Sequence, residues 1–365
     1  MTNPVEFEAV SARKSWRLDW PTSSGGRVAQ AELKASPADF LVDEQLDVSG
    51  CLGGEHLLVR LEKVGDNTEF VARQLADLAK CRPFDVGFCG LKDRHAVTRQ
   101  WFSIYRPGGE TNDEALMAAI ASRWPVLAGC RGAKKLRRSD HRGNDFRITL
   151  TNVRGDKTAI EDSLTRLAAQ GCPNYFGPQR FGHNGENLDR AITMDPARMI
   201  SGRTGKGKKR RRGRSSSGRE AGKNVLYFSA ARSWLFNEVL AYRVDAGNWR
   251  DILDGEPGLP DQAELRATGP LWGDGGTLAT SVQGDLERSL VCGYPQVAAV
   301  FAVTRMKPER RPLVLMPKNQ QWQWLAPDRL LISFGLGPGQ YATTLLADVF
   351  DMAVNGGNRA NSAVQ

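Results

Sequence analysis

The chain has 365 residues, a formal net charge of +9, 41% hydrophobic residues and 25% charged ones. That length can bury a sizeable core divided over two domains, and no apolar run approaches the roughly 18 residues that span a membrane. The six cysteines (51, 81, 89, 130, 172, 292) include no C-x-x-C pair and the four histidines do not cluster, so a zinc motif and a disulfide scaffold are excluded and the thiols read as reduced.

Residues 1–26 read as a flexible lead-in. Glu6, Glu8, Arg13 and Lys14 lie among polar residues without the apolar core of a signal peptide, so a cytoplasmic location is the expectation. Ser36 and Pro37 mark a turn, and Phe40 and Val42 open an alternating strand over 40–44; residues 57–61 give another. A helix follows Asp66, Asn67 and Thr68, any of which can cap it, with Phe70, Val71, Leu75 and Leu78 as its apolar face. Residues 146–151 alternate as a strand, and 158–169 form an amphipathic helix stopped by Gly171, Cys172 and Pro173.

The character changes near Asn174, where glycine and aromatics crowd 174–182. A Gly/Lys/Arg/Ser arm occupies about 201–223, and a long helix about 226–245. Residues 246–290 carry no assignable pattern. Strands at 313–316, 321–324 and 330–334 and a helix at 340–350 resemble a return to the first unit. The elements lack a regular βαβ rhythm, so the fold class expected is α/β in the α+β sense: a mixed, mostly antiparallel sheet backed by helices. The expected domains are 27–171 with 315–365, discontinuous, and an inserted unit at 172–314 containing the basic arm.

Positive charge is concentrated in two segments. Residues 203–214 hold eight Lys or Arg and no acid, and 131–142 hold six against Asp140 alone; the rest of the chain is slightly acidic. Such runs suit phosphate backbones, although a merely solvated charged surface produces the same composition.

Residues 86–104 read as strand, functional loop, strand. In the loop a single carboxylate, Asp93, stands among Lys92, Arg94, His95 and Arg99. Cations favour the charged form of an acid and attract a polyanion. A carboxylate on a tight turn can act as a nucleophile on a sugar, or simply cap the turn; composition alone leaves both open.

The stretch 90–101, Gly-Leu-Lys-Asp-Arg-His-Ala-Val-Thr-Arg-Gln-Trp, resembles the signature of the TruD family of tRNA pseudouridine synthases. Further blocks are similar in the family's order: 33–40, the Gly143-Asn144-Asp145-Phe146 motif, 173–182, 229–237 and 339–346. The resemblance implies a pseudouridine synthase catalytic domain with an inserted TRUD domain. It also implies isomerisation of uridine-13 of tRNA without a cofactor, and tRNA as the partner, with no protein partner. The arm at 202–222 is longer than the resemblance implies, which leaves its role open.

Carried over residue by residue, the resemblance makes Asp93 the essential carboxylate, either attacking C1′ or removing the 2′ proton. Lys34 becomes the cation that holds it, Phe146 the ring on which an extruded uracil stacks, and Asn144 a pocket brace. Phe40 is expected in the core, and His95 as structural or RNA-facing. Lys134, Lys135, Arg137 and Arg138, with Lys208, Lys209, Arg210, Arg211 and Arg212 of the arm, are expected on phosphates; Arg180 either joins them or supports the active-site loop. A rival class is a non-catalytic RNA-binding or chaperone protein on the same fold. A metal-dependent nuclease is disfavoured because it wants several acids converging on Mg²⁺.

Overall fold

Alternating and capped segments become elements in chain order. The computed structural model describes residues 16–353 apart from 50, 52, 139, 194–216, 260–265 and 305. Ala29–Glu32 forms β1, Phe40–Gln45 forms β2 and His56–Lys63 forms β3. Helix α1 (Thr68–Leu78) starts where the Asn67 side chain accepts the Phe70 N–H at 2.8 Å, the ordinary N-cap bond. Then come β4 (Val86–Phe88), β5 (Val97–Tyr105), α2 (Asp113–Ala121), β6 (Val126–Gly132) and the long β7 (Gly143–Gly155). Helix α3 (Lys157–Gln170) is capped by Asp156, which accepts the Ala159 N–H at 2.8 Å.

The next stretch holds β8 (Cys172–Pro173), α4 (Glu186–Thr193), α5 (Ser217–Asp245), β9 (Thr268–Leu271), α6 (Ser281–Cys292), α7 (Pro295–Thr304), β10 (Glu309–Pro312) and β11 (Val314–Leu315). The chain ends its described part with β12 (Lys318–Ala326), β13 (Arg329–Leu336), α8 (Ala342–Ala347) and β14 (Phe350–Ala353). β8 pairs with β11 in a two-stranded sheet of their own, Val314 opposite Pro173 and Leu315 opposite Cys172, which brings the two ends of the stretch 172–315 together.

The main sheet runs β12-β13-β7-β2-β5-β3-β6, with β4 on β5, and β1 between β7 and β14. It is mixed and mostly antiparallel: among these pairings only β2–β5 and β1–β14 are parallel. One face is covered twice. Ile148, Leu150, Leu330 and Ile332 are buried with Leu164 of α3 and Leu345 of α8, whereas Val59, Leu61 and Phe102 are buried with Leu75 of α1 and Ile120 of α2. The register places both clusters on the same side, since Phe146 lies opposite Val42, Val42 opposite Thr98, and Thr98 opposite Lys63. The loop from β4 to β5 emerges on that side and meets residues from both clusters' strands.

A third core surrounds α5, where Phe228, Trp234, Leu235, Phe236 and Leu240 are all buried. A helix apolar on every side needs covering on every side. Part of that cover comes from residues expected to be loose. Trp20 is buried and stacks on Tyr175 at 5.8 Å, and Trp234 Nε1 donates to the Arg17 carbonyl at 2.9 Å. Residues 16–26 therefore pack instead of trailing, because Trp16, Leu18 and Trp20 supply apolar surface on alternate residues.

Two other expectations change. Helix α5 begins at Ser217, inside the segment read as an arm; residues 201–216 lie outside the described residues. The helix expected over 340–350 ends at Ala347. Asp348 turns away to accept the Ser23 N–H and hydroxyl at 2.8 and 2.5 Å, and Phe350 starts β14. The unassigned stretch after 246 contains β9 and the start of α6.

Candidate active site

The loop carrying Asp93 is held by polar groups in the core. The Gln100 side chain donates to the Gly90 carbonyl at 2.6 Å, and the Thr68 hydroxyl accepts the Lys92 N–H at 2.9 Å while donating to Gln100 at 3.0 Å. Both hooks are fully buried, so slack in the loop would leave unpaired polar groups away from water. From the β3 side the buried Lys63 ammonium donates to the Asp66 carbonyl at 2.8 Å and approaches the Asp93 carbonyl at 3.5 Å. Glu44 of β2 and Lys92 form an ion pair of 2.5 Å, and Glu44 also accepts the Trp101 N–H at 3.1 Å.

The Asp93 carboxylate itself remains open, with 30% of its side chain exposed. One oxygen is ion-paired with Lys34 Nζ and the other accepts the His95 backbone N–H at 2.9 Å. Burial pushes its pKa up, but the Lys34 charge and hydrogen bond, with the His95 N–H, outweigh that and hold it below the usual carboxylate range. Lys34 reaches this position from a left-handed backbone, φ +60°, which an L-residue adopts at a cost of roughly 1–2 kcal/mol.

Aromatic rings continue the line. The Lys34 ammonium sits 4.3 Å from the Phe40 ring centroid. Phe40 meets Phe146 edge-on at 6.2 Å, and Phe146 stacks on Phe334 at 5.5 Å. Phe40 and Phe334 are buried, whereas Phe146 is half-buried and presents the accessible ring. Asn144, two residues along β7, lies on the same face and keeps a buried Oδ1 without a hydrogen-bond partner. The neighbouring Gly143 has φ +152°, and a methyl group there would collide with the Leu336 carbonyl, which accounts for glycine in that motif.

The family model described as tRNA pseudouridine synthase D (TruD) matches residues 23–191, a span containing Lys34, Asp93, Asn144 and Phe146. A tRNA pseudouridine synthase D of Marinobacter nauticus is 56% identical over 357 residues, covering 94% of this chain and 97% of that protein. The chain belongs to the tRNA pseudouridine synthase D family. The Cellvibrio japonicus member is 38% identical, covering 92% of this chain and 94% of its own. A crystal structure of a Methanosarcina mazei protein assigned to TruD superimposes with a TM-score of 0.64 at 20% identity, over 92% of this chain and 96% of that one, so the fold is shared at low identity.

The basic residues of this TruD-family chain divide into used and free. Arg131 is engaged with Asp113 at 2.6 and 2.9 Å, and Arg142 is ion-paired with Asp47. Arg99 pairs with Glu62 at 2.9 Å and Asp43 at 3.7 Å, so it does not face Asp93, and Lys92 is committed to Glu44. Lys134, Arg137 and Arg138 are exposed and have no ion-pair partner among the described residues. Arg180 donates to the Ser229 and Ser233 hydroxyls of α5 and lies 5.9 Å from the Phe176 ring, a bracing position. Lys208 to Arg212 lie outside the described residues. Among the described residues no three His, Cys, Asp or Glu side chains gather as metal ligands, and no helix is long and apolar enough to cross a membrane.

Sequence reasoning missed Phe334, Glu44 and Lys63 as parts of the site. Phe334 reads as one more strand residue until pairing sets it opposite Phe146. Lys63 ends β3 and Glu44 is the last residue but one of β2, where charged residues ordinarily mark solvent.

Proposed function

We propose that this chain isomerises uridine to pseudouridine at position 13 of tRNA, without a cofactor, using Asp93 as the essential carboxylate. The observation that carries the reading is a carboxylate kept ionised by Lys34, still partly exposed, at the end of a row of aromatic rings.

Pseudouridine formation breaks the C1′–N1 bond, rotates the uracil and joins C5 to C1′. The base must first leave the stack. Asp93, ionised, either attacks C1′ or removes the 2′ proton; both roles need the negative charge that Lys34 maintains and the fixed direction that the His95 N–H supplies. Phe146 carries the extruded uracil, backed by Phe334, and Asn144 braces it from the same face of β7. In this reading residues 172–314 form the inserted domain, and Lys134, Arg137 and Arg138 grip phosphates, whereas Lys135, also expected on phosphate, has its ammonium on the Phe84 carbonyl and ring. The arm residues 208–212 would add to that grip.

The test is direct. Purified protein is incubated with a tRNA transcript and no added cofactor, and the product is treated with carbodiimide and read by primer extension. A new stop at position 13 supports the reading; tight tRNA binding with no pseudouridine at any position assigns the chain to non-catalytic RNA binding.

A further inference from the structure

Phe84 is an aromatic residue that belongs to none of the hydrophobic cores. It stands on the short turn Pro83–Asp85 with 79% of its surface exposed, the most of any large hydrophobic residue among the described residues. A ring so placed contributes almost nothing to the core. The turn beneath it is nevertheless rigid. Pro83 fixes its first residue, and Asp85 receives the Arg82 guanidinium at 2.9 and 3.0 Å and the Arg82 N–H at 3.1 Å.

The loop after β6 is pressed against β4 beside this turn. Gly87 permits it, since a methyl group there would strike the Leu136 carbonyl and the Lys135 side chain. Leu136 N–H donates to the Ser103 hydroxyl at 2.9 Å. Lys135 is thereby set with its ammonium 4.1 Å from the Phe84 centroid, donating to the Phe84 carbonyl. Around them Lys134, Arg137 and Arg138 point no charge at any carboxylate among the described residues.

We infer that Phe84 is a stacking platform for an unpaired nucleotide of the bound RNA, with Lys135 under one side of the ring and Lys134, Arg137 and Arg138 holding the flanking phosphates. An exposed aromatic inside a positive surround is the arrangement that takes single-stranded nucleic acid: the ring accepts any base face and the cations track the backbone. A rigid turn lowers the ordering cost of using it. β4 leads directly from Phe84 to the Asp93 loop, and the eight intervening residues let the two stand at most about 30 Å apart, so one RNA can occupy both.

The inference rests on RNA being the substrate, and its test is read as binding, apart from turnover. Phe84→Ala should weaken binding of a tRNA transcript and of single-stranded oligouridylate by about fivefold to about a hundredfold, with Phe84→Trp restoring it. Binding of a fully paired RNA duplex should change less than twofold, and kcat at saturating tRNA should be unaltered. Arg137→Ala and Arg138→Ala should weaken both RNAs and flatten the salt dependence by about one unit per lost phosphate contact. Unchanged single-strand affinity in Phe84→Ala overturns the platform, as does equal loss on single strand and duplex, or an altered oligomeric state with RNA affinity intact. Wild-type protein that binds RNA through Phe84 yet forms no pseudouridine refutes the enzymatic reading and leaves the platform standing.

Discussion

Glu44 and Lys92 form an ion pair of 2.5 Å in which the Glu44 side chain has no exposed surface and that of Lys92 only 8%. The pair ties the middle of the sheet to the residue immediately before Asp93. Removing one partner of a buried pair leaves an uncompensated charge, at a cost of about 3–5 kcal/mol. Glu44→Ala should therefore lower stability by that order, and Glu44→Gln combined with Lys92→Met should recover part of it. Urea unfolding of the single and double variants decides this.

Lys34 acts on Asp93 in two separable ways. Its charge and hydrogen bond hold the Asp93 pKa down against burial, so the proposed catalytic carboxylate stays ionised as the pH falls; in Lys34→Met the acid limb of kcat/KM should move to higher pH. Its left-handed backbone is independent of the charge. Lys34→Gly should be more stable than Lys34→Ala by about 1 kcal/mol, although both lose the ammonium. A pH–rate profile and paired unfolding curves separate the two effects.

Lys63 gives stability a distinctive pH dependence. Burial lowers its pKa to about 8, against the opposing pull of Asp93 and Asp66 and with the repulsion of Lys92, from an ordinary value of 10.5. Between those values the unfolded chain binds the proton more readily than the folded one, so folding gains stability as pH rises from about 8 towards 10.5. Wild type should gain on Lys63→Met across that window by on the order of 3 kcal/mol. Parallel unfolding curves at all pH values would contradict the burial of a charged amine there.

Phe146 and Phe334 are stacked but not equivalent. Phe334 is buried, so Phe334→Ala should cost about 3–5 kcal/mol of stability. Phe146 is half-buried, and Phe146→Ala should cost less stability while lowering kcat/KM by about fivefold to a hundredfold through lost uracil stacking. Kinetics and unfolding on the same two proteins test both statements.

Much of the candidate site was legible because its residues sit in short motifs. Asp93, Lys34, Phe146 and Asn144 each sit in a recognisable block, and their strands alternate as the sheet requires. What stayed hidden depends on long-range pairing. Arg131 and Arg142 read as free cations until the fold sets Asp113 and Asp47 beside them. Trp16 and Trp20 read as loose until the middle of α5, buried on all sides, needs their cover. Lys63 looks like any strand-end lysine, and only the loop folded over it removes its water.

The central claim is tested most directly by Asp93→Asn, which keeps the shape of the side chain and removes its charge. tRNA affinity within a few-fold of wild type and the loss of all pseudouridine at position 13 are the results expected. Pseudouridine formed by that variant at an undiminished rate would contradict the account.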